Sequence, residues 1–203
     1  MQIEPMPSRD AYRCWLSARE QDLLVDFYSE QPRKQLAVEL MLDGLRSEET
    51  TRVAKQDFRE LDADEEAWHL RVWESKTGYR EAPVSTQTKT RAVMLANARG
   101  LRQEESLIDV SPRTVQRWVT DAATALADQT ENNDWRRCSA HDLRRTWATC
   151  TYYRLIANGG TNDVREVVMR WGGWDDETTF RENYLGRVPD DLAADLMLDA
   201  GLV

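Results

Sequence analysis

Over most of this chain apolar residues recur at helical spacing, but between residues 56 and 85 the period drops to two. That change limits the fold more than any other feature. Residues 56–61, 67–73 and 79–85 read as three short strands. In the second, Trp68, Leu70 and Val72 alternate with His69 and Arg71. Residues 74–78, Glu-Ser-Lys-Thr-Gly, form the turn that joins the second strand to the third, with Lys76 carried away from the sheet. Consecutive short strands joined this tightly pair as an antiparallel meander. The expected fold is mainly α (α+β), helices with one small three-stranded antiparallel sheet.

Helix punctuation surrounds that sheet. Ser17-Ala18-Arg19-Glu20 is a capping box, and a helix to about Ser29 follows with Leu23, Leu24 and Phe27 on its apolar side. Pro32 suits the first position of a second helix, which runs through Leu36, Ala37, Leu40 and Met41 to Gly44. A short helix then reaches about Ala54. Beyond the sheet, residues 86–99 are helical and stop at Gly100. Ser111-Pro112 opens a helix with Val115, Trp118, Val119 and Ala122 inward, and residues 129–135 read as polar loop. The helix bearing His141 runs to residues 158–160. Another spans about residues 162–170 and ends at Gly172-Gly173. The next begins near Asp175 or Asp176 and carries Tyr184, and the last follows Pro189. Residues 1–15, with two prolines and no periodicity, read as a lead-in. Residues 16–188 form the main domain and residues 189–203 a C-terminal helix.

Composition narrows the function. No run of 18 apolar residues is present, so no membrane span is expected. Cys14, Cys138 and Cys150 are an odd, scattered set without metal spacing, as in a reduced cytoplasmic protein. The net charge of −9 argues at first against a nucleic-acid partner. Its distribution says more. Residues 60–66 hold five acids and residues 175–203 hold eight acids against two arginines, whereas residues 131–154 hold five arginines against three acids. An acidic shell around a few basic patches is the pattern of a protein from a very salty cytoplasm.

The basic patch centres on Ala140-His141-Asp142-Leu143-Arg144-Arg145-Thr146-Trp147-Ala148-Thr149. On a helix, His141, Arg144, Arg145 and Ala148 share one side, and Leu143, Trp147, Cys150 and Ala157 the other. The first side is expected to face solvent, so that replacing Arg144 leaves folding little changed. Guanidiniums make forked hydrogen bonds to phosphate and imidazole moves protons near neutrality, a pairing suited to phosphoryl chemistry on a phosphodiester.

From about residue 15 to residue 188 the chain resembles the catalytic domain of the tyrosine recombinases, the family of phage integrases and Xer-type resolvases. The family's Gly-Leu-Arg-x-x-Glu motif matches Gly44-Leu45-Arg46-Ser47-Glu48-Glu49. Its hairpin lysine, followed by an arginine and a proline, matches Lys76, Arg80 and Pro83. Its His-x-x-Arg, leading into Thr-x-Ala-Thr, matches His141 to Arg144 and Thr146 to Thr149. Its Gly-Trp pair matches Gly173-Trp174, and its nucleophile matches Tyr184. The spacing departs by one: Tyr184 follows Trp174 by ten residues where the family commonly has nine. Family members usually carry a further N-terminal helical domain, and this chain begins at about the linker to the catalytic one.

The resemblance implies a site-specific recombinase or integrase that cleaves and rejoins DNA through a 3′-phosphotyrosyl intermediate. Tyr184 is the implied nucleophile. Arg46 and Arg144 are the implied clamp on the phosphoryl oxygens. His141 accepts or shares the tyrosine proton or bonds a phosphoryl oxygen, Lys76 protonates the leaving 5′-oxygen, and Trp174 either donates its indole N–H to a phosphoryl oxygen or is simply core. Glu49 orients Arg46 or His141 from behind, and no metal or other cofactor is needed. Ser111, Arg80, Arg113, Arg117, Arg136, Arg137 and Arg145 are expected to contact a double-stranded recombination site, on which the chain assembles as a homo-oligomer, a tetramer. The C-terminal helix either finishes its own core or docks on a neighbouring protomer, with Tyr184 held away from the other site residues until DNA binds. Two alternatives stand beside this one: a type IB topoisomerase-like relaxase, and a DNA-binding regulator that has lost catalysis.

Overall fold

The computed structural model describes residues 1–6, 11–160 and 163–202. Its first finding concerns the presumed lead-in. Strand β1 (Gln2–Pro5) pairs antiparallel with β2 (Tyr12–Trp15), Gln2 opposite Trp15. Pro7, one of the two prolines that argued for a linker, lies outside the described residues. β2 is docked rather than free: Cys14 N donates to Asp142 Oδ1 at 3.0 Å and Leu16 N to Thr146 Oγ1 at 3.0 Å. Cys14, Trp15 and Leu16 are buried.

Helix α1 (Ala18–Asp26) begins on the expected capping box, with Ser17 N donating to Glu20 Oε2 at 2.9 Å. Helix α2 (Pro32–Leu42) starts at its proline and is buried from Gln35 to Met41. A helix covered on all sides is the centre of a core, and α1, α4, α5 and α6 pack around it. Truncating Leu40, which is fully buried, to alanine is expected to destabilise the chain by about 2–5 kcal/mol. Gly44 follows with φ +91, and a Cβ there would lie 2.5 Å from the Trp147 ring. Helix α3 (Ser47–Thr50) is one turn, shorter than expected, and a 3-10 turn, Lys55–Asp57, leads into the sheet.

The sheet is the expected meander of β3 (Phe58–Glu60), β4 (Trp68–Val72) and β5 (Arg80–Val84), in that order. Leu70 stands opposite Phe58 on one side and Ala82 on the other, so Leu70, Val72, Ala82 and Val84 turn into the core. Helix α4 (Thr86–Arg99) stops at Gly100, and α5 (Pro112–Gln129) is capped by Ser111 Oγ. The expected polar loop instead ends in a 3-10 turn, Asn133–Arg137, that sinks Trp135 into the core.

Helices α6 (Ala140–Ala157), α7 (Val164–Gly172), α8 (Glu177–Asn183) and α9 (Asp190–Asp199) complete the described chain. Asn162, the expected start of α7, lies outside the described residues. The main core sits around α2 and α5. A second, made of Trp147, Ala148, Val164, Val168, Trp174, Phe180 and Tyr184, joins α6 to α7 and α8. Helix α9 lies against α6 and fully buries none of its residues.

Candidate active site

The second core overturns the expected two-faced α6. Every residue from Asp142 to Cys150 is buried, on both sides of the helix. Of the expected solvent-facing set only His141 remains exposed. Arg144 is 1% exposed because Trp174 and Tyr184 cover the side that helical periodicity assigns to solvent. Its guanidinium carbon stands 4.0 Å from the Trp174 ring centroid. Nη1 donates to Gly44 O and Nη2 to Gly172 O. A charge this deep needs such partners. The expectation that replacing Arg144 spares the fold is therefore corrected.

The Gly172 carbonyl belongs to a row. At the C-terminus of α7, Arg80 Nη1 donates to Trp171 O, Arg144 Nη2 to Gly172 O, and Arg46 Nη2 to Gly173 O at 2.8 Å. Terminal carbonyls lack helical partners and carry the negative end of the helix dipole. Here three successive ones are each taken by an arginine from a different element: β5, α6 and the α2–α3 turn. The glycines make room. Gly173 has φ +69, and a Cβ on it would lie 2.8 Å from Arg80 Cδ; one on Gly172 would overlap the Trp174 ring.

Glu49 binds the arginines from the other side. It accepts from Arg46 N at 2.8 Å, Arg46 Nη1 at 2.7 Å and Arg80 Nη2 at 2.6 Å. Burial alone would raise its carboxyl, but Arg80, Arg144 and Arg46 outweigh burial and hold it below the usual carboxylate range. Glu49 thus orients Arg46, and among the described residues it makes no hydrogen bond to His141. Burial, then the charges of Arg46 and Arg80, lower Arg144 to about 9, where it is still a cation at neutrality.

Arg46, His141 and Arg144 line one cleft of about 500 Å³ between α3, α5 and α6, together with Ser47, Gln116 and Ser139. The cleft walls desolvate His141, Arg145 and Arg144 add charge repulsion, and its pKa falls to about 4. The residue is nonetheless exposed at the rim. The direction rests on both causes and leaves a neutral imidazole at pH 7.

Tyr184 is the cap residue that follows α8, so the ten-residue spacing from Trp174 places it just beyond the last helical turn. It is 8% exposed, with its ring centroid 5.2 Å from His141, 4.5 Å from Trp174 and 5.8 Å from the Arg144 guanidinium carbon. It is neither turned out from the site nor hydrogen-bonded through its hydroxyl among the described residues. Trp174 is buried, and its Nε1 has no partner among the described residues. Lys76 is exposed at the tip of the β4–β5 turn, and its neighbour Thr77 bonds the Gly173 carbonyl at 3.4 Å, beside the Arg46 contact.

The residues expected on DNA divide. Arg80 is buried and tied to Glu49, and Arg145 is buried and tied to Asp142 and Asn183 O. Neither reaches a surface, which corrects both expectations. Arg136 pairs with Asp128 at 2.5 Å and Arg137 with Asp134 at 3.0 Å, each partner one of the acids that abound in this chain. Arg113 and Arg117 are exposed on α5 with no ion pair among the described residues. Two residues that the sequence reading left without a role, Trp15 and Thr149, both donate to the Tyr184 carbonyl. Only the place of Thr149 in the Thr-x-Ala-Thr motif signalled it.

No family model matches the chain, and no curated protein does. Solved structures do. It is similar to the XerA recombinase, with TM-score 0.65 and 17% identity over 92% of this chain and 65% of that one. It is also similar to the XerH site-specific recombinase bound to its difH substrate in a pre-cleavage complex, with TM-score 0.59 and 15% identity over 91% of this chain and 53% of that one. A third likeness is to the Tn1549 transposon integrase in complex with transposon right end DNA, with TM-score 0.55 and 15% identity over 93% of this chain and 66% of that one. The chain thus spans between 53% and 66% of the length of these proteins. Helices around a three-stranded meander, in an arrangement shared with recombinases and an integrase, give this chain the catalytic-domain fold of the tyrosine recombinases.

Proposed function

We propose that the chain cleaves and rejoins DNA by tyrosine transesterification, as the catalytic part of a site-specific recombinase or integrase. One observation carries the reading: Arg46, His141 and Arg144 share a cleft, and the buried Tyr184 ring packs 5.2 Å, centroid to centroid, from His141. The tyrosine oxygen attacks the phosphorus. The bond to the 5′-oxygen breaks, leaving a 3′-phosphotyrosyl ester and a free 5′-hydroxyl, and neither water nor a nucleotide is consumed. His141, neutral at pH 7, takes the phenol proton. Lys76, on its exposed turn, gives a proton to the leaving oxygen. Arg46 and Arg144 stabilise the charge that gathers on the phosphoryl oxygens. The unpartnered indole N–H of Trp174 supplies a further donor.

Arg113 and Arg117 are the exposed cations on α5 that suit duplex phosphates. Assembly on DNA as a homo-oligomer, a tetramer, belongs to the same proposal. Helix α9 supports it by leaving Leu198 62% exposed, with Leu202 just beyond at 71%, apolar surface that a neighbouring protomer can cover.

The test mixes the protein with a pool of nicked duplexes that carry a randomised core, followed by denaturation and recovery of protein-linked DNA. Adducts joined through a 3′ end, absent with Tyr184→Phe, are the expected result. Cleaved strands that carry no linked protein from either variant would sink the proposal.

A further inference from the structure

Helix α8 ends at Asn183, and its cap residue Tyr184 still gives its N–H to Phe180 O at 3.0 Å, but its backbone angles of φ −123 and ψ −33 leave the helix and its carbonyl accepts no helical bond among the described residues. Other residues fix it instead. Thr149, on α6 with His141 and Arg144, donates its hydroxyl to the Tyr184 carbonyl at 2.7 Å and accepts from Gly186 N at 2.9 Å. One hydroxyl therefore spans the turn in both directions. Trp15, the last residue of β2, donates its indole N–H to the same carbonyl at 3.1 Å. Thr149 is 1% and Trp15 4% exposed, so water does not compete for either bond. The fit is also steric, since a Cβ on Gly186 would lie 2.6 Å from the Trp15 ring. Flanking bonds tie the same segment: Arg145 Nε to Asn183 O at 2.9 Å, Arg13 Nη2 to Asn183 Oδ1 at 2.8 Å, and Gln2 Nε2 to Val188 O at 3.0 Å.

We infer that Thr149 and Trp15 are positioning residues for the Tyr184 nucleophile. They anchor its main chain to the helix that carries His141 and Arg144, so attacking oxygen, base and clamp share one frame. The inference rests on the reading of Tyr184 as nucleophile. It also gives the N-terminal strands a role. β2 is bonded to α6 through Asp142 and Thr146 and to the tyrosine through Trp15, so displacing this strand moves the Tyr184 carbonyl.

Thr149→Val keeps the shape and removes the hydroxyl, Thr149→Ser returns it, and Trp15→Phe keeps a ring without the N–H. Misplacement of a reacting group by about 1 Å slows a reaction about 10²-fold, so Thr149→Val should slow single-turnover adduct formation at saturating DNA by about 10- to 100-fold. Affinity for the same nicked duplexes should stay the same, Thr149→Ser should recover most of the rate, and Trp15→Phe should lose part of it. Hydrogen exchange of the Gly186 amide in the DNA-free protein should speed up in Thr149→Val and not in Thr149→Ser, a readout that needs no activity. If Thr149→Val fails to fold, Trp15→Phe reads the same carbonyl. Wild-type adduct with undiminished rates in Thr149→Val and Trp15→Phe overturns the inference alone, as does an unchanged Gly186 exchange rate. A wild-type protein that forms no adduct overturns the nucleophile reading and this inference with it.

Discussion

Replacing Glu49 by glutamine tests the centre of the site. Glu49 has a side chain 2% exposed and faces Arg80, 4% exposed, at 2.6 Å and Arg46 at 2.7 Å. With Arg144 alongside, it is the one carboxylate among three guanidiniums in the described residues. Glutamine keeps the size, but its amide nitrogen points hydrogens at a guanidinium that needs an acceptor. Removing one member of a buried pair destabilises by about 3–5 kcal/mol, which in a chain of this length lowers Tm by about 6–20 °C. The effect has a sign in pH. The folded carboxyl titrates below its ordinary value of 4.5, so its contribution is complete above 4.5 and is lost as pH falls through the folded value. The wild-type protein should exceed Glu49→Gln in urea unfolding by that margin at pH 7, and the gap should close in acid. Sulfate or phosphate should stabilise the variant more than the wild type, because the anion replaces the missing charge. Equal stability at pH 7, or a gap that does not narrow in acid, would refute the reasoning.

Other outcomes are expected at the same site. Arg46→Ala and Arg144→Ala should each slow adduct formation by about 10²–10³, the scale of one lost transition-state donor. Arg144→Ala should also destabilise the chain by about 1–3 kcal/mol for each carbonyl it orphans, Gly44 and Gly172, and thermal melts beside the cleavage assay separate the two effects. His141 should act as a neutral base well below the usual histidine range. The acid limb of kcat/KM for cleavage, which reports the free enzyme, should fall near pH 4 and be lost in His141→Gln, and a limb centred on 6.5 would refute the depressed value. The same depressed pKa means the unfolded chain takes up the proton first, so His141 should lower stability as pH falls from 6.5 towards 4, an effect that His141→Gln should abolish. Cleavage should survive EDTA, and activity lost in chelator and restored by Mg²⁺ would point to a nuclease.

Features with a local cause were legible in the sequence. The Ser17 capping box, the proline start of α2, the Gly100 stop and the change of period at the meander each act within a few residues, and each stands where expected. Pairing of β1 with β2 was not legible, because two four-residue strands show no period and β2 owes its burial to contacts with α6, some 130 residues away. The burial of Arg144 was missed for a related reason. Helical spacing says which side of α6 a residue occupies, not whether that side is covered. The cover comes from the rings of Trp174 and Tyr184, which lie on later elements of the chain. Thr149 lacked an obvious role because its partners are main-chain groups, which leave no trace in residue identity.

The same geometry explains how an acidic chain can keep a cationic site. Arg136, Arg137 and Arg145 are each neutralised by a neighbouring aspartate, so most of the expected basic surface carries little field. Arg46, Arg80 and Arg144 are treated differently. Against three guanidiniums stands one carboxylate, and the remaining acceptors are carbonyl dipoles of Gly44, Trp171, Gly172 and Gly173. Dipoles satisfy hydrogen bonds without cancelling charge. The cluster therefore keeps a net positive charge in a place where water is largely excluded, and Arg144 feels this as a lowered pKa. Uncompensated buried charge is unfavourable for folding alone, and an incoming anion relieves it. With the guanidiniums already pinned, the proposed reaction leaves little reorganisation to be done as a phosphoryl group gains charge. The strain of three crowded arginines and the readiness for a phosphodiester that we propose for them have one electrostatic origin, set by three carbonyls at the end of α7.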